Sequence, residues 1–508
     1  MCHRQAIDIH WPRHFQRILP SLPPLPVTLE ALHPEKAMSK LHPTRRTVIR
    51  AGAATLAATL PAKALQPKKA NGKSAIEGYT DQLSYSPGDE IRVHLSAARP
   101  LTYEIVRVGP KPLKVGGGEF LKPTVHPVPK DASANGCRWP VEFTIKADAA
   151  WPTGYYLINF KDDANTRGNV FFVLRPTEPG KNSRILIQLA TNTYNAYTNW
   201  GGYSLYAYHG KNKVQGRRVS FDRPQFSQFS RWEEPFIRWA ESNGYALDYC
   251  VNSDLEFRPE LLRHYKLVLS VGHDEYWSAP MRDNLEKYIA SGGNVAFFSG
   301  NTCCWQVRSE ENGRALACWK QSFGDDPIYK SGSHKLLSSL WSHHLVGRPE
   351  NALTGVGFLQ GGYHMSHGQF MDGPGSYTLH RPDHWLFAGT DLKAGDRFGA
   401  QLPKYKVVGY ECDGCELVWK DGIPHPTYRD GTPENFTILA TCQARWHPDD
   451  CEWYEKWEKG RVGHAVIGTY TRGGTVVTVG STDWAFGLRG NDPAVTRITK
   501  NVLDKLGA

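Results

Sequence analysis

A chain of 508 residues, 40% apolar and 12% aromatic, can bury two or three cored domains, so an extended disordered polymer is excluded. Its net charge of +10 would ordinarily suggest a nucleic acid or an acidic membrane as partner. Residues 1–64, however, hold nine Lys/Arg against three Asp/Glu, a net of +6 that leaves +4 for all that follows, and no nucleic-acid partner is expected.

The basic leader contains "TRRTVIRAGAATLAATLPAKA", residues 44–64. Arg45 and Arg46 precede a mildly apolar Ala/Leu stretch that closes on the small-x-small end Ala62-Lys63-Ala64, the pattern of a twin-arginine export signal. The apolar part is short of the roughly twenty strongly apolar residues a membrane helix needs, so no integral span is expected. Met38 lies just upstream as a candidate start, the mature chain would begin near Leu65, and its destination would be periplasmic or secreted. Export by this route carries folded proteins, which suits one that loads a metal or cofactor beforehand. Nine cysteines follow the leader, and the isolated pair Cys412-x-x-Cys415 suggests a local disulfide or buried thiols rather than a zinc site.

Between residues 76 and 176, short β-rich runs such as "EIRVHLSA", "TYEIVRVG" and "GYYLINF" alternate with turn residues, which predicts a small β-sandwich with Tyr155 and Tyr156 as core or tyrosine-corner residues. From residue 183 the pattern changes. "RILIQLA" reads as a buried strand, and Phe236, Ile237, Trp239 and Ala240 as an amphipathic helix ending at Asn243-Gly244. "KLVLSVG", a helix carrying Met281, Leu285, Tyr288 and Ile289, and the strand "NVAFFSG" follow. "HAVIGTY", "GTVVTVGS" and a helix with Val495, Ile498 and Val502 close the chain. This order predicts an α/β domain over 183–508 with a doubly wound, mostly parallel sheet of the amidotransferase or flavodoxin kind, and residues 302–460 as a large insertion or cap.

Ligands bind at the carboxyl ends of the strands of such a sheet. Three ends carry unusual chemistry: "TNTYNAYTNWGGYS" with Tyr194 and Tyr197, "GHDEYWS" with His273 and Glu275, and "SGNTCCWQVR" with Asn301. Two phenolates and a carboxylate are three hard anionic oxygens that suit Fe³⁺, and a histidine beside them can carry a proton. Asp274 is expected to be structural, while Trp200, Trp277 and Trp305, one in each loop, are expected to shape the pocket.

The segments "NTYNAYTNWGG", "GHDEYWS", "SGNT" and "VGYECDG" (408–414), in that order within an α/β domain, resemble those of the large, catalytic subunit of N,N-dimethylformamidase and its relatives. The resemblance covers roughly residues 180–508. It implies a mononuclear non-haem Fe³⁺ that serves hydrolysis of the amide of a small formamide to an amine and formate. Tyr194 and Glu275 would be iron ligands, with Tyr197 as second phenolate and Tyr276 as its alternative. His273 would be the acid/base, and Asn301 and Glu411 would position substrate and water. The expected partner is a small amide, with a small subunit or self-association as the assembly to test.

Competing readings follow from the same residues. Each tyrosine could be core, and Glu275 could be a charge near the helix start capped by Ser278. Cys303 or Cys304 could be the nucleophile of a thiol hydrolase, although "SGNTCC" lacks a G-x-C-x-G elbow. A non-catalytic carbohydrate-binding protein would use the tryptophans as stacking platforms. His364 and His367 could form a second metal pair if a third ligand converged.

Overall fold

The computed structural model describes residues 76–508 apart from 121, 367–368, 371–374 and 447–460. The leader with Arg45 and Arg46, His367 and Cys451 therefore lie outside the described residues.

Two sheets form over residues 77–174. One has five strands in the order Ser84–Tyr85, Arg167–Leu174, Gly154–Asp162, Leu101–Val108, Leu113–Phe120, and the other three in the order Glu77–Thr80, Glu90–Ser96, Phe143–Lys146. Alternating residues of both, among them Ile91, Val93, Leu95, Ile105, Ile158 and Phe172, close a shared core. Tyr156 packs in that core, whereas Tyr155 faces the opposite way, stacks on Phe229 at 3.8 Å and donates to Ser227 Oγ at 2.9 Å. Successive residues of a strand point to opposite faces, so this pair joins the sandwich core to the larger region. The buried ion pair of Arg175 with Asp254 at 3.2 Å reinforces the same junction.

The larger region is built on a nine-stranded sheet in the order Asp248–Val251, Ile185–Leu189, Leu267–His273, Asn294–Gly300, Gly474–Thr478, Val462–Arg472, Thr437–Arg445, Tyr377–Leu379, Arg397–Phe398. The first five strands are mutually parallel, and from Gly474–Thr478 onward every neighbouring pair is antiparallel. This corrects the doubly wound, mostly parallel fold expected from sequence: the sheet is mixed, and the described chain is mostly β. The helices Glu233–Ser242, Ala279–Ala290 and Pro493–Leu506 stand where periodicity placed them, but Thr437–Arg445 and two short strands arise inside residues 302–460 and extend the same sheet. An alternation of apolar residues marks a strand without marking its direction, which is set by the connection that precedes it.

No helix among the described residues is long and apolar enough to cross a membrane. The eight described cysteines are buried free thiols, Cys412 and Cys415 included.

Candidate active site

The site forms where the parallel strands end. Ile185–Leu189 runs into the short helix Thr191–Tyr197, Leu267–His273 runs into the 273–275 turn, and Asn294–Gly300 runs into Asn301. These loops are tied together by hydrogen bonds: the Glu275 amide donates to Thr193 Oγ1 at 3.0 Å, the Cys303 amide to the Asp274 carbonyl at 2.9 Å, and the Trp305 amide to the Glu275 carbonyl at 2.9 Å. Gly272, at φ +81°, makes the bend before His273, and a side chain there would strike Trp232. Glu411 arrives from residues 302–460. It passes so close to Gly300 that any Cβ on that residue would collide with the Glu411 carbonyl and the Thr482 amide.

Buried at this junction, His273 Nε2 lies 2.8 Å from Glu411 Oε2 and 3.2 Å from Glu275 Oε2. His273 Nε2 and Glu411 Oε2 are thus each other's charge partners, while among the described residues the buried Asn301 Oδ1 has no hydrogen bond. A buried polar atom left unpaired costs about 1–3 kcal/mol. Such an atom at Asn301, next in sequence to Gly300, which pairs with His273 in the sheet, leaves an acceptor open at the strand's end.

Glu275 accepts from Tyr206 Oη at 2.8 and 2.9 Å and from Trp305 Nε1 at 2.7 Å. Behind Tyr206 stands a directed chain: Lys320 Nζ donates to Tyr276 Oη at 2.7 Å, and Tyr276 Oη to Tyr206 Oη at 2.7 Å. The ammonium also lies 3.4 Å from the centre of the Tyr206 ring, and Lys320, itself buried, holds a left-handed φ of +53°. Tyr197 packs its ring 4.3 Å from that of Tyr206 and 5.5 Å from that of His273. Among the described residues its hydroxyl has no hydrogen-bond partner.

The electrostatics follow from burial and charge. Burial disfavours the imidazolium of His273, but the carboxylates of Glu411 and Glu275 outweigh it and hold the ring's pKa up at about 10. Burial alone would raise Glu275, yet His273, Lys320 and the Tyr206 hydroxyl keep it below the ordinary glutamate value. Burial, then the Glu275 charge, pushes the phenols of Tyr197 and Tyr206 well above 10. For Lys320, burial lowers the ammonium below its usual value against the pull of Glu275.

Of the residues expected from sequence, the structure brings together His273, Glu275, Asn301, Glu411 and Tyr197. Tyr194, expected as an iron ligand, lies elsewhere: its hydroxyl donates to Glu233 Oε1 at 2.5 Å and its ring meets Phe171 edge-on at 6.0 Å. Three residues of helix leave two side chains only about 60° apart around the axis but about 4.5 Å apart along it, so Tyr194 and Tyr197 share a face yet meet different neighbours. Tyr206 and Lys320 were not singled out from sequence, because neither sits in a strand-end loop of the expected fold. Asp274 is structural, accepting from Gln188 Nε2, Ser270 Oγ and Asn252 Nδ2 at 2.7, 2.8 and 3.1 Å. Trp277 belongs to the hydrophobic core and Trp200 packs against Trp139 of the sandwich, so of the three tryptophans Trp305 lines the site.

A metal fits this donor set on chemical grounds. Glu275, Tyr206 and Tyr197 offer hard oxygens, two of them on phenols that the surroundings keep protonated until a cation compensates them. No group of three His, Cys, Asp or Glu among the described residues is arranged to hold a metal, so a metal here depends on the phenol oxygens. A thiol nucleophile does not fit: burial pushes Cys303 and Cys304 well above the usual thiol range.

Comparison with known proteins decides the family. The sequence pattern described as "N,N-dimethylformamidase beta subunit-like, C-terminal" matches residues 108–497. The chain belongs to that family. Among similar proteins, the N,N-dimethylformamidase beta subunit of Alcaligenes sp is 24% identical over 448 residues, 73% of this chain and 54% of that one. The N,N-dimethylformamidase beta subunit of Paracoccus aminophilus is 25% identical over 447 residues, 72% and 54% of the two chains. The chain thus spans about half the length of these relatives. Among solved structures, a Paenibacillus sp. cycloisomaltooligosaccharide glucanotransferase aligns at 9% identity and a TM-score of 0.18, over 45% of this chain and 53% of that one, too distant to carry an argument.

Proposed function

We propose that this member of the dimethylformamidase-like family hydrolyses small N-alkyl amides with the help of one ferric ion. The observation that carries the reading is the buried ion pair of His273 with Glu411 and Glu275, set against the Tyr206 hydroxyl on Glu275 and the rings of Tyr197 and Tyr206. Glu275, Tyr206 and Tyr197 would hold the ion, which when bound supplies Lewis acidity at the amide carbonyl.

The chain's own groups divide the remaining work. His273 Nε2, 2.8 Å from Glu411 Oε2, is placed to deliver a proton to the departing amine nitrogen, with Glu411 to receive one from water. Asn301 presents its side-chain amide to orient substrate or water, and its backbone is fixed by donation to Asp413 Oδ1 at 2.9 Å. Rings of Tyr197, Trp232 and Tyr410, 5.5 to 6.0 Å from His273, surround the imidazole with apolar surface suited to an alkyl amide. The paired arginines of the leader support export to the periplasm, and the relatives' designation as a beta subunit supports a smaller partner subunit for this chain as well.

Protein purified without chelator is expected to contain one iron per chain, with a visible tyrosinate-to-Fe³⁺ absorption band, and to release formate from N,N-dimethylformamide by NMR. Removing the iron with a chelator should abolish both band and turnover. Iron-free protein that turns over at full rate would sink the metal reading.

A further inference from the structure

Arg231 precedes Trp232 at the entry to the helix Glu233–Ser242. Its guanidinium carbon lies 4.2 Å from the centre of the Trp232 ring and 5.3 Å from that of Tyr410. Those two rings border His273 at 6.0 and 5.9 Å, and Tyr410 adjoins Glu411. Arg231 therefore sits one ring away from the proposed acid/base pair.

What distinguishes it is its lack of a partner. Arg107, Arg175 and Arg308, also at least half-buried, pair with Glu241, Asp254 and Asp326 at 2.6, 3.2 and 2.7 Å. Among the described residues no carboxylate pairs with the half-buried guanidinium of Arg231 and no acceptor takes a hydrogen bond from it. Asp483 feels its charge, but the Asp483 oxygens already accept from the Tyr410 amide at 3.2 Å and the Thr482 hydroxyl at 2.8 Å. The other cations of the site are engaged, Lys320 with Tyr276 and His273 between two carboxylates. Five planar N–H donors thus remain open, in the geometry that matches a carboxylate. Two aromatic rings hold them in place without neutralising them.

We propose that Arg231 is a carboxylate-binding residue at the edge of the His273 site. The proposal rests on the amide-hydrolase reading for its source of ligand. Addition of water to an amide forms one C–O bond and breaks the C–N bond; one proton of the water goes to nitrogen to make the amine, and the acid's proton passes to that amine, leaving an ammonium ion and a carboxylate. A small neutral amide has no group that needs an unpaired guanidinium, whereas a carboxylate does, either as the released acid or as an acidic group on the substrate.

The test uses the full chain, Arg231→Gln and Arg231→Lys, with thermal unfolding to check that each variant folds. Acetate binding, followed by NMR titration, should weaken about 10- to 100-fold in R231Q and return in part in R231K, the range set by a charge-assisted hydrogen-bonded pair. Succinamic acid and butyramide then separate the two sources. If the substrate carries the carboxylate, R231Q lowers kcat/KM for succinamic acid by a further factor of about 10–100 relative to butyramide. If the product carries it, both amides fall together and acetate ceases to compete. Acetate binding that is absent from the wild type, or equal in wild type and R231Q, overturns the proposal. Acetate binding through Arg231 in a protein that hydrolyses neither amide would keep the carboxylate site and reject the hydrolase.

Discussion

Two buried tyrosine–glutamate pairs lie around the helix Thr191–Tyr197, one involving Tyr194 and Glu233, the other Tyr206 and Glu275 beside Tyr197. In the first, Glu233 Oε1 accepts from Tyr194 and, at 3.2 Å, from the Ala190 amide, Oε2 has no hydrogen-bond partner, and among the described residues no cation pairs with this carboxyl. Burial dominates there and pushes the Glu233 carboxyl up to about 8, so at neutral pH it is mostly an uncharged acid held under a phenol. In the second, the cations His273 and Lys320 overcome the same burial and keep Glu275 ionised. The residue types are alike, and what separates a structural pair from a cation-ready one is the company of charge. A phenol beside a neutral acid has no reason to lose its proton, whereas a phenol beside an ionised glutamate is where the proposed metal would find a ready anionic oxygen.

The largest expected effect is at Glu275. Glu275→Gln keeps an acceptor for Trp305 but removes the charge, and turnover should fall on the order of 1000-fold with loss of bound iron, measured by elemental analysis beside an amide-release assay. Retained iron and retained turnover would erase the distinction between the two pairs.

Next comes a direct exchange between them. Tyr206→Phe should bleach the visible absorption and lower iron content, at a cost in stability of its own because buried Glu275 and Tyr276 each lose a hydrogen-bond partner. Tyr194→Phe should keep the iron and cost about 1–3 kcal/mol of unfolding free energy, because Glu233 loses its hydroxyl donor in a buried place. Absorption spectra and iron content should therefore separate two variants that chemical denaturation does not, and a loss of iron in Tyr194→Phe would return Tyr194 to the ligand set.

Lys320 is a smaller test of the same contrast. It reaches Tyr206 through the Tyr276 hydroxyl and from 3.4 Å over the Tyr206 ring, and so acts as a positioning residue. Lys320→Met is expected to lower kcat about 10- to 100-fold with a shift in the absorption maximum, and Lys320→Arg to restore part of both. An unchanged spectrum would make Lys320 a support for the fold alone.

Much of this site could be read from the sequence because its parts follow strands. "GHDEYWS" and "SGNT" are carboxyl ends of parallel strands, and in any sheet with helical crossovers such ends meet at one edge, whatever the rest of the sheet does. That is why His273, Glu275 and Asn301 come together although the sheet is mixed and not doubly wound. Glu411 was legible only through the "VGYECDG" motif. Tyr206 and Lys320 carry no local signal: one follows a loop rather than a strand, the other sits in "ACWKQS", and ring packing and a hydrogen-bond chain across distant segments bring both to Glu275. The antiparallel half of the sheet escaped for a related reason, since "TILATCQAR" has strand periodicity but stood inside residues 302–460, read as an insertion.

The smallest effect concerns protons in the silent pair. A carboxyl whose pKa rises from 4.5 in the unfolded chain to about 8 in the folded one stabilises the fold only while it stays protonated in both. As pH climbs from about 4.5 to about 8, the unfolded chain gives up this proton and the folded chain keeps it, so unfolding becomes progressively easier. Above the folded value both forms are ionised and the dependence ends. Glu233→Gln should remove that part of the slope, because a neutral amide can still accept from Tyr194 and Ala190 at every pH. Urea midpoints of wild type and Glu233→Gln measured from pH 5 to 9 should thus converge at the acid end and separate towards pH 8, with the variant the more stable. Parallel curves would mean that Glu233 is ionised in the folded protein, and the two pairs would then differ in geometry rather than in charge.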